Sequence, residues 1–196
     1  MPVLPRLVAS GTEISASARS WTASGGTEPR LLLGLRARRE ALLEAIQAQP
    51  PAILHLATHV LSVPRRPGQS FLALSLDGQR SASPPALTTQ EVAILHVPGS
   101  LVILSGCESA VGDAQPGAGL LGMVRAWLTA GAAGVVATHW AVPDSTGDLF
   151  PPFYRHLAQV PPAKALQFAQ REMIASHSWR SAPAYWAAYQ FTGGAR

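Results

Sequence analysis

Three short apolar runs, each closed by a turn, constrain the fold of this chain more than any other feature: "AILHLAT" at 52–58, "LVILSG" at 101–106 and "GVVATHW" at 134–140. Each is only four to eight residues long and is bounded by Pro, Gly or polar residues, the pattern of a strand buried on both faces. Between and around them lie helical stretches. Strands that alternate with helices predict an α/β sandwich with a mainly parallel sheet, and in such sheets reactive groups gather outside the carboxyl ends of the strands.

The remaining elements are read around that frame. Residues 6–9 are a short strand candidate, and "GTEISASARSW" is a helix with Ser10 or Thr12 as cap and Glu13 in its first turn. "RLLLG" reads as a short buried strand, and "RARREALLEAIQAQ" as an amphipathic helix ended by Pro50-Pro51. "FLALSLDG" is a hairpin strand turning at Asp77-Gly78. "TTQEVA" is a short helix capped by Thr88 or Thr89, with Glu91 early in it. "AGLLGMVRAWLTAG" is a helix stopped by Gly131, and helices over 144–158 and 162–175 precede a last strand near "AAYQFTG".

Composition narrows the function. A chain of 196 residues that is 47% hydrophobic and 13% charged has the balance of one globular domain with thick buried elements. Its net charge of +4 comes almost wholly from arginines, of which Arg36, Arg38 and Arg39 are the one group of three, so the basic stripe with interleaved aromatics that nucleic acid requires is missing. The single cysteine, Cys107, excludes an internal disulfide and a cysteine-rich zinc site. With no secretory leader in "MPVLPRLVAS", a reducing, cytoplasmic setting is expected. The longest uncharged run, 126–143, is interrupted by Gly131 and Gly134 and contains His139, so no membrane span is expected.

The candidate reactive residues sit at strand ends. His55 and His59 are four apart, but on a strand that separation is about 13 Å, too far for one ion about 2 Å from each nitrogen. No metal site is expected. His55, inside the apolar run, reads as a core histidine hydrogen-bonded to a neighbour. His59 ends the run, where a side chain can be both exposed and rigidly held. Cys107 follows a buried strand and a glycine that lets backbone approach a substrate, which suits a nucleophile; a buried cysteine is otherwise an inert small hydrophobe. "GAGLLG" matches G-x-G-x-x-G, but no strand directly precedes it and no acidic residue ends the next one, so no dinucleotide or other cofactor is expected. A nucleophile elbow would read G-x-C-x-G with its histidine after the nucleophile; Gly106 adjoining Cys107 forms it poorly, but His139, His156 and His177 lie downstream, so it stands as the enzymatic runner-up.

With those residues in place, the chain resembles a CHAT domain, the caspase-like domain often attached to tetratricopeptide repeats in bacteria. The family's pattern runs "HLATHG", "LSACETG", "GLGLARAFLAAGA", "VVASLWPVDD", "FYRHL" and "YWAAFVLTG". This chain carries "HLATHV", "LSGCESAVGD", "GLLGMVRAWLTAGA", "VVATHWAVPD", "FYRHL" and "YWAAYQFTG" in the same order. The "GCES" block is also similar to that of legumain-type peptidases.

The resemblance implies a caspase-like three-layer sandwich, with a mainly parallel central sheet flanked by helices, and a cysteine endopeptidase acting on a protein or peptide through a His59/Cys107 dyad. Residues 1–20 would be a partial N-terminal edge and 21–196 the core, with control by an attached or separate sensor domain. The oxyanion would be held by the backbone N–H groups of Val60 and Cys107. Trp140 and Asp144, after the third run, would shape substrate binding, or else Trp140 packs and Asp144 caps the next helix. Val60 stands where the family has glycine. A β-branched residue there disfavours positive φ and would turn the amide or crowd the substrate, which favours the alternative of a weak or inactive interaction domain. Pro151-Pro152 place the start of the "FYRHL" helix at Pro151.

Overall fold

The computed structural model describes residues 7–62, 70–75, 86–106, 118–140, 142 and 144–194. In chain order the elements are α1 (Ser10–Ala23), α2 (Arg39–Ala48), β1 (Ile53–Leu56), β2 (Val60–Ser62), β3 (Ser70–Ala73), β4 (Ala86–Thr88), α3 (Thr89–Ala93), β5 (Leu101–Leu104), α4 (Ala118–Thr129), β6 (Gly134–Thr138), α5 (Phe150–Leu157), α6 (Pro162–Ala175) and β7 (Tyr189–Gly193). The three apolar runs become β1, β5 and β6, which pair in parallel in the spatial order β1-β5-β6. β7 closes this sheet antiparallel to β6. A second, antiparallel sheet has the order β2-β3-β4.

Strand alternation sends successive side chains into two separate cores. Leu56, Val102, Leu104, Val135 and Ala137 join Leu42 and Ile46 of α2 and Met123, Val124 and Trp127 of α4. Leu101, Ile103 and Val136, from the other face, join Phe150, Phe153 and Tyr154 of α5 and Leu166, Ala169 and Met173 of α6. All four residues of β5 are buried, which is why that run has no polar alternation. Helices on both faces of a mainly parallel sheet make the expected three-layer α/β sandwich.

Local signals account for several boundaries. Thr88 caps α3 with a complete capping box: its side chain accepts from the Glu91 N–H, and the Glu91 carboxylate accepts from the Thr88 N–H at 2.9 Å. Gly131 ends α4 at φ +103°, a conformation that disfavours any side chain. Prolines occupy the first turn of α5, which begins one residue earlier than expected, at Phe150.

Two expected strands are absent. Residues 7–9 already wind toward α1, with the Ala9 carbonyl accepting from the Glu13 N–H and the Leu7 carbonyl from the Ser10 hydroxyl. "RLLLG" leads into a 3-10 turn at Gly34–Arg36. At its end the Leu33 carbonyl accepts from the Arg36 N–H at 3.1 Å and the Gly34 carbonyl from the Ser75 hydroxyl, bonds of a turn and not of a ladder. The three-residue strands β2 and β4 are too short to show a period in sequence. The Asp77-Gly78 turn lies outside the described residues. Among the described residues no helix is long and apolar enough to cross a membrane.

Candidate functional site

Parallel pairing puts the exits of β1, β5 and β6 on one edge of the sheet. Leu56 pairs with Leu104, and the Ser105 N–H donates to the Leu56 carbonyl at 3.2 Å. One residue further the two chains touch. A Cβ on Gly106 would lie 1.4 Å from the Thr58 carbonyl oxygen, so only glycine fits. The sequence suggested that Gly106 serves a substrate's approach; in the structure it serves the approach of β5 to β1. His59 follows Thr58 directly, and Cys107 follows Gly106 directly. Cys107 itself, like the rest of 107–117, lies outside the described residues.

His59 is held by backbone on both sides. The Thr58 hydroxyl donates to the Ala73 carbonyl, and the Ala73 N–H donates to the His59 carbonyl at 2.9 Å. β2 then starts at Val60 and pairs antiparallel with β3 immediately after the histidine. The histidine is 8% exposed, so the expectation of an exposed side chain is corrected to an enclosed one.

Val60 sits differently from what its branching suggested. It is an ordinary strand residue opposite Leu72, and His177 is the only non-glycine residue with positive φ among those described. β-branching suits that backbone. Its side chain is 1% exposed and belongs to the core formed with Leu72, Leu87, Met123 and Trp127. It therefore neither turns the amide into the left-handed region nor stands in a cleft. Antiparallel ladders alternate bonded and non-bonded pairs. Because His59 is bonded to Ala73, Val60 occupies the non-bonded position, and its N–H points away from β3 on the edge strand of that sheet.

The third exit carries His139 and Trp140. The His139 N–H donates to the Ala188 carbonyl at 2.9 Å, and its ring bonds the Gln190 side chain. Trp140 is 43% exposed, so packing does not consume it. Asp144 is the first residue of a 3-10 segment over Asp144–Leu149.

His55 is the buried core histidine expected, and its partners come from α1, the exit of β5 and α5. Its Nε2 lies 3.0 Å from Glu13 Oε1 and 3.1 Å from Ser105 Oγ, and its Nδ1 lies 3.1 Å from the Tyr154 hydroxyl. The Phe150 ring leans on the imidazole at 4.7 Å between centroids. Burial, with the charge of Glu13 adding to it, pushes the Tyr154 phenol well above its ordinary range. Tyr154 therefore keeps its proton. When it donates to Nδ1, the Nε2–H faces both Glu13 and Ser105.

Sequence reasoning placed Glu13 only as a first-turn acid. The available signal was the composition of α1, whose buried residues are Glu13 and Ser17, one turn apart, with no apolar stripe. Among the described residues no group of three or more His, Cys, Asp or Glu side chains could hold a metal. In comparisons with known proteins, the model of the CHAT domain family matches residues 2–194. No curated protein matches the chain significantly.

Proposed function

Because the chain belongs to the CHAT domain family, a family associated with caspase-like cysteine peptidases, we propose that it is a cysteine endopeptidase using His59 and Cys107. The observation that carries this reading is the contact of Gly106 with the Thr58 carbonyl. It joins the backbones of the two residues that immediately precede the proposed dyad.

In this mechanism Cys107, as thiolate, attacks the carbonyl carbon of a peptide bond. The oxyanion accepts hydrogen bonds from the N–H groups of Val60 and Cys107; loss of such a donor costs about 3 kcal/mol of barrier in other enzymes. His59 passes a proton to the leaving amine, and water then hydrolyses the thioester while His59 accepts its proton. Trp140, exposed at the neighbouring strand exit, and Asp144 after it contact the substrate. The substrate is a protein or peptide, met in the cytoplasm under the control of an attached or separate sensor domain. No cofactor is needed for these steps.

A peptide library tests the reading. The wild-type chain is expected to cleave a subset of peptides, and Cys107→Ala and His59→Ala to lose at least about a thousandfold in kcat/KM. A peptidyl electrophile should label Cys107 in the wild type. Equal cleavage by Cys107→Ala, or no labelling of the thiol, removes the proposal and leaves a non-catalytic interaction domain.

A further inference from the structure

The centre described above uses neither Glu13 nor His55, although both are buried and polar. Burying a carboxylate against an imidazole is costly compared with apolar packing of similar volume, so such a pair contributes little net stability. Its placement is informative. His55 lies on β1 four residues before His59, and Ser105 lies beyond β5 two residues before Cys107. The Ser105 hydroxyl, 3.1 Å from His55 Nε2, is a side-chain link from that strand exit to β1. Glu13, on α1, reaches the same nitrogen at 3.0 Å. Its Cβ, Cγ and Oε2 also pack where Gly147 leaves room, 2.7 Å from the position a Cβ would take there.

We propose that Glu13, His55 and Ser105 form a buried positioning relay through which helix α1 sets the strand exit leading to Cys107 against the one leading to His59. The proposal rests on the peptidase reading for its consequence in catalysis. Glu13 orients the imidazole from one side and Tyr154 from the other. The ring then fixes Ser105, while the Ser105 N–H on Leu56 and Gly106 on Thr58 hold the backbone. Without the relay, Ser105 and the residues after it keep those backbone contacts but lose the side-chain restraint. The three side chains are positioning residues; none of them needs to touch substrate.

Cys107 is the only cysteine, so its alkylation by iodoacetamide, followed by mass spectrometry across pH, reports its surroundings without ambiguity. Ser105→Ala and Glu13→Gln should slow alkylation near neutral pH about tenfold and move the pH profile toward that of a free thiol, as expected when a reacting pair is misplaced by a fraction of an ångström. In peptide cleavage the same variants should lower kcat and leave KM in place. Glu172→Gln, on the exposed Arg155–His156 cluster, is the control and should match the wild type. Ser105→Ala removes one hydroxyl and keeps the proposal testable if Glu13→Gln folds poorly. Wild-type alkylation profiles in both folded variants would overturn the relay. A wild-type chain that cleaves nothing, but whose Cys107 still slows in both variants, would remove the peptidase reading and keep the relay.

Discussion

Beneath α2 and α4 the central sheet meets Leu42, Ile46, Met123, Val124 and Trp127, a core of aliphatic and aromatic side chains. Beneath α1 and α5 the same strands meet Glu13 and Tyr154, with His55 projecting from β1 to bond both. The two faces are similarly enclosed but do different work. On the apolar face, burial removes hydrocarbon from water at about 25 cal/mol per Å², and any well-packed set of side chains would serve. On the polar face, each donor needs its own acceptor, and the arrangement specifies how α1 must dock. Both faces bury apolar cores; the second adds to Phe150, Phe153, Leu166 and Met173 a polar cluster that supplies a unique geometry.

Truncating the apolar face should have the largest effect. Trp127 is completely buried, and Trp127→Ala is expected to cost about 4 kcal/mol in urea unfolding. Activity per folded molecule should remain, and a loss below 1 kcal/mol would mean that burial on this face contributes little to stability. On the polar face, Glu13→Ala strips the imidazole of its carboxylate and should cost about 3 kcal/mol. The double variant Glu13→Leu/His55→Leu sharpens the contrast: stability should return toward wild type while Cys107 reactivity does not. Recovery of both together would mean that the two faces are interchangeable.

Val60 tests the boundary between core and site. Val60→Gly empties a fully buried position and weakens a short strand, so a loss of about 2 to 3 kcal/mol is expected. Peptide cleavage per folded molecule should not rise. A gain in cleavage would return the valine to the role of an obstacle in a weakened peptidase.

The smallest effect lies at the α3 cap. Thr88→Ala should cost about 1 kcal/mol. Thr88, by its side-chain and then its backbone hydrogen bond, holds the Glu91 carboxyl below its ordinary 4.5 against the opposing pull of burial, with Arg39 assisting. A depressed folded-state value means that this contribution is complete above the ordinary carboxylate value and is lost as pH falls through the lowered one. The stability difference between wild type and Thr88→Ala should therefore shrink on acidification in that window. A difference that stays constant to pH 2 would contradict the role of the ionised carboxylate.

Much of this was legible in the residues. The unbroken apolar runs pointed to strands buried on both faces, "TTQEVA" to a helix capped at Thr88 or Thr89, and the ordered blocks from "HLATHV" to "YWAAYQFTG" to the family whose model matches the chain. Side chains that act through distance were not legible. Glu13 and His55 are 42 residues apart, and Ser105 is another 50 beyond; no local pattern links them, because hydrogen bonds of that separation exist only after the layers have packed. For the same reason "RLLLG" looked like a strand, since an apolar run shows that a segment is buried but not whether a neighbour offers it a ladder.

The sequence by itself determined the three parallel strands, their order along the chain and the helix stop at Gly131, because periodicity and glycine requirements act within a few residues of one another; the pair of residues proposed for the chemistry came from the resemblance to the family. Only the tertiary structure decided that Gly106 is needed by a neighbouring strand, that Val60 faces the core, and that His55 belongs to a polar relay. Each of those depends on which backbone or side chain from a remote segment comes to occupy the adjoining space.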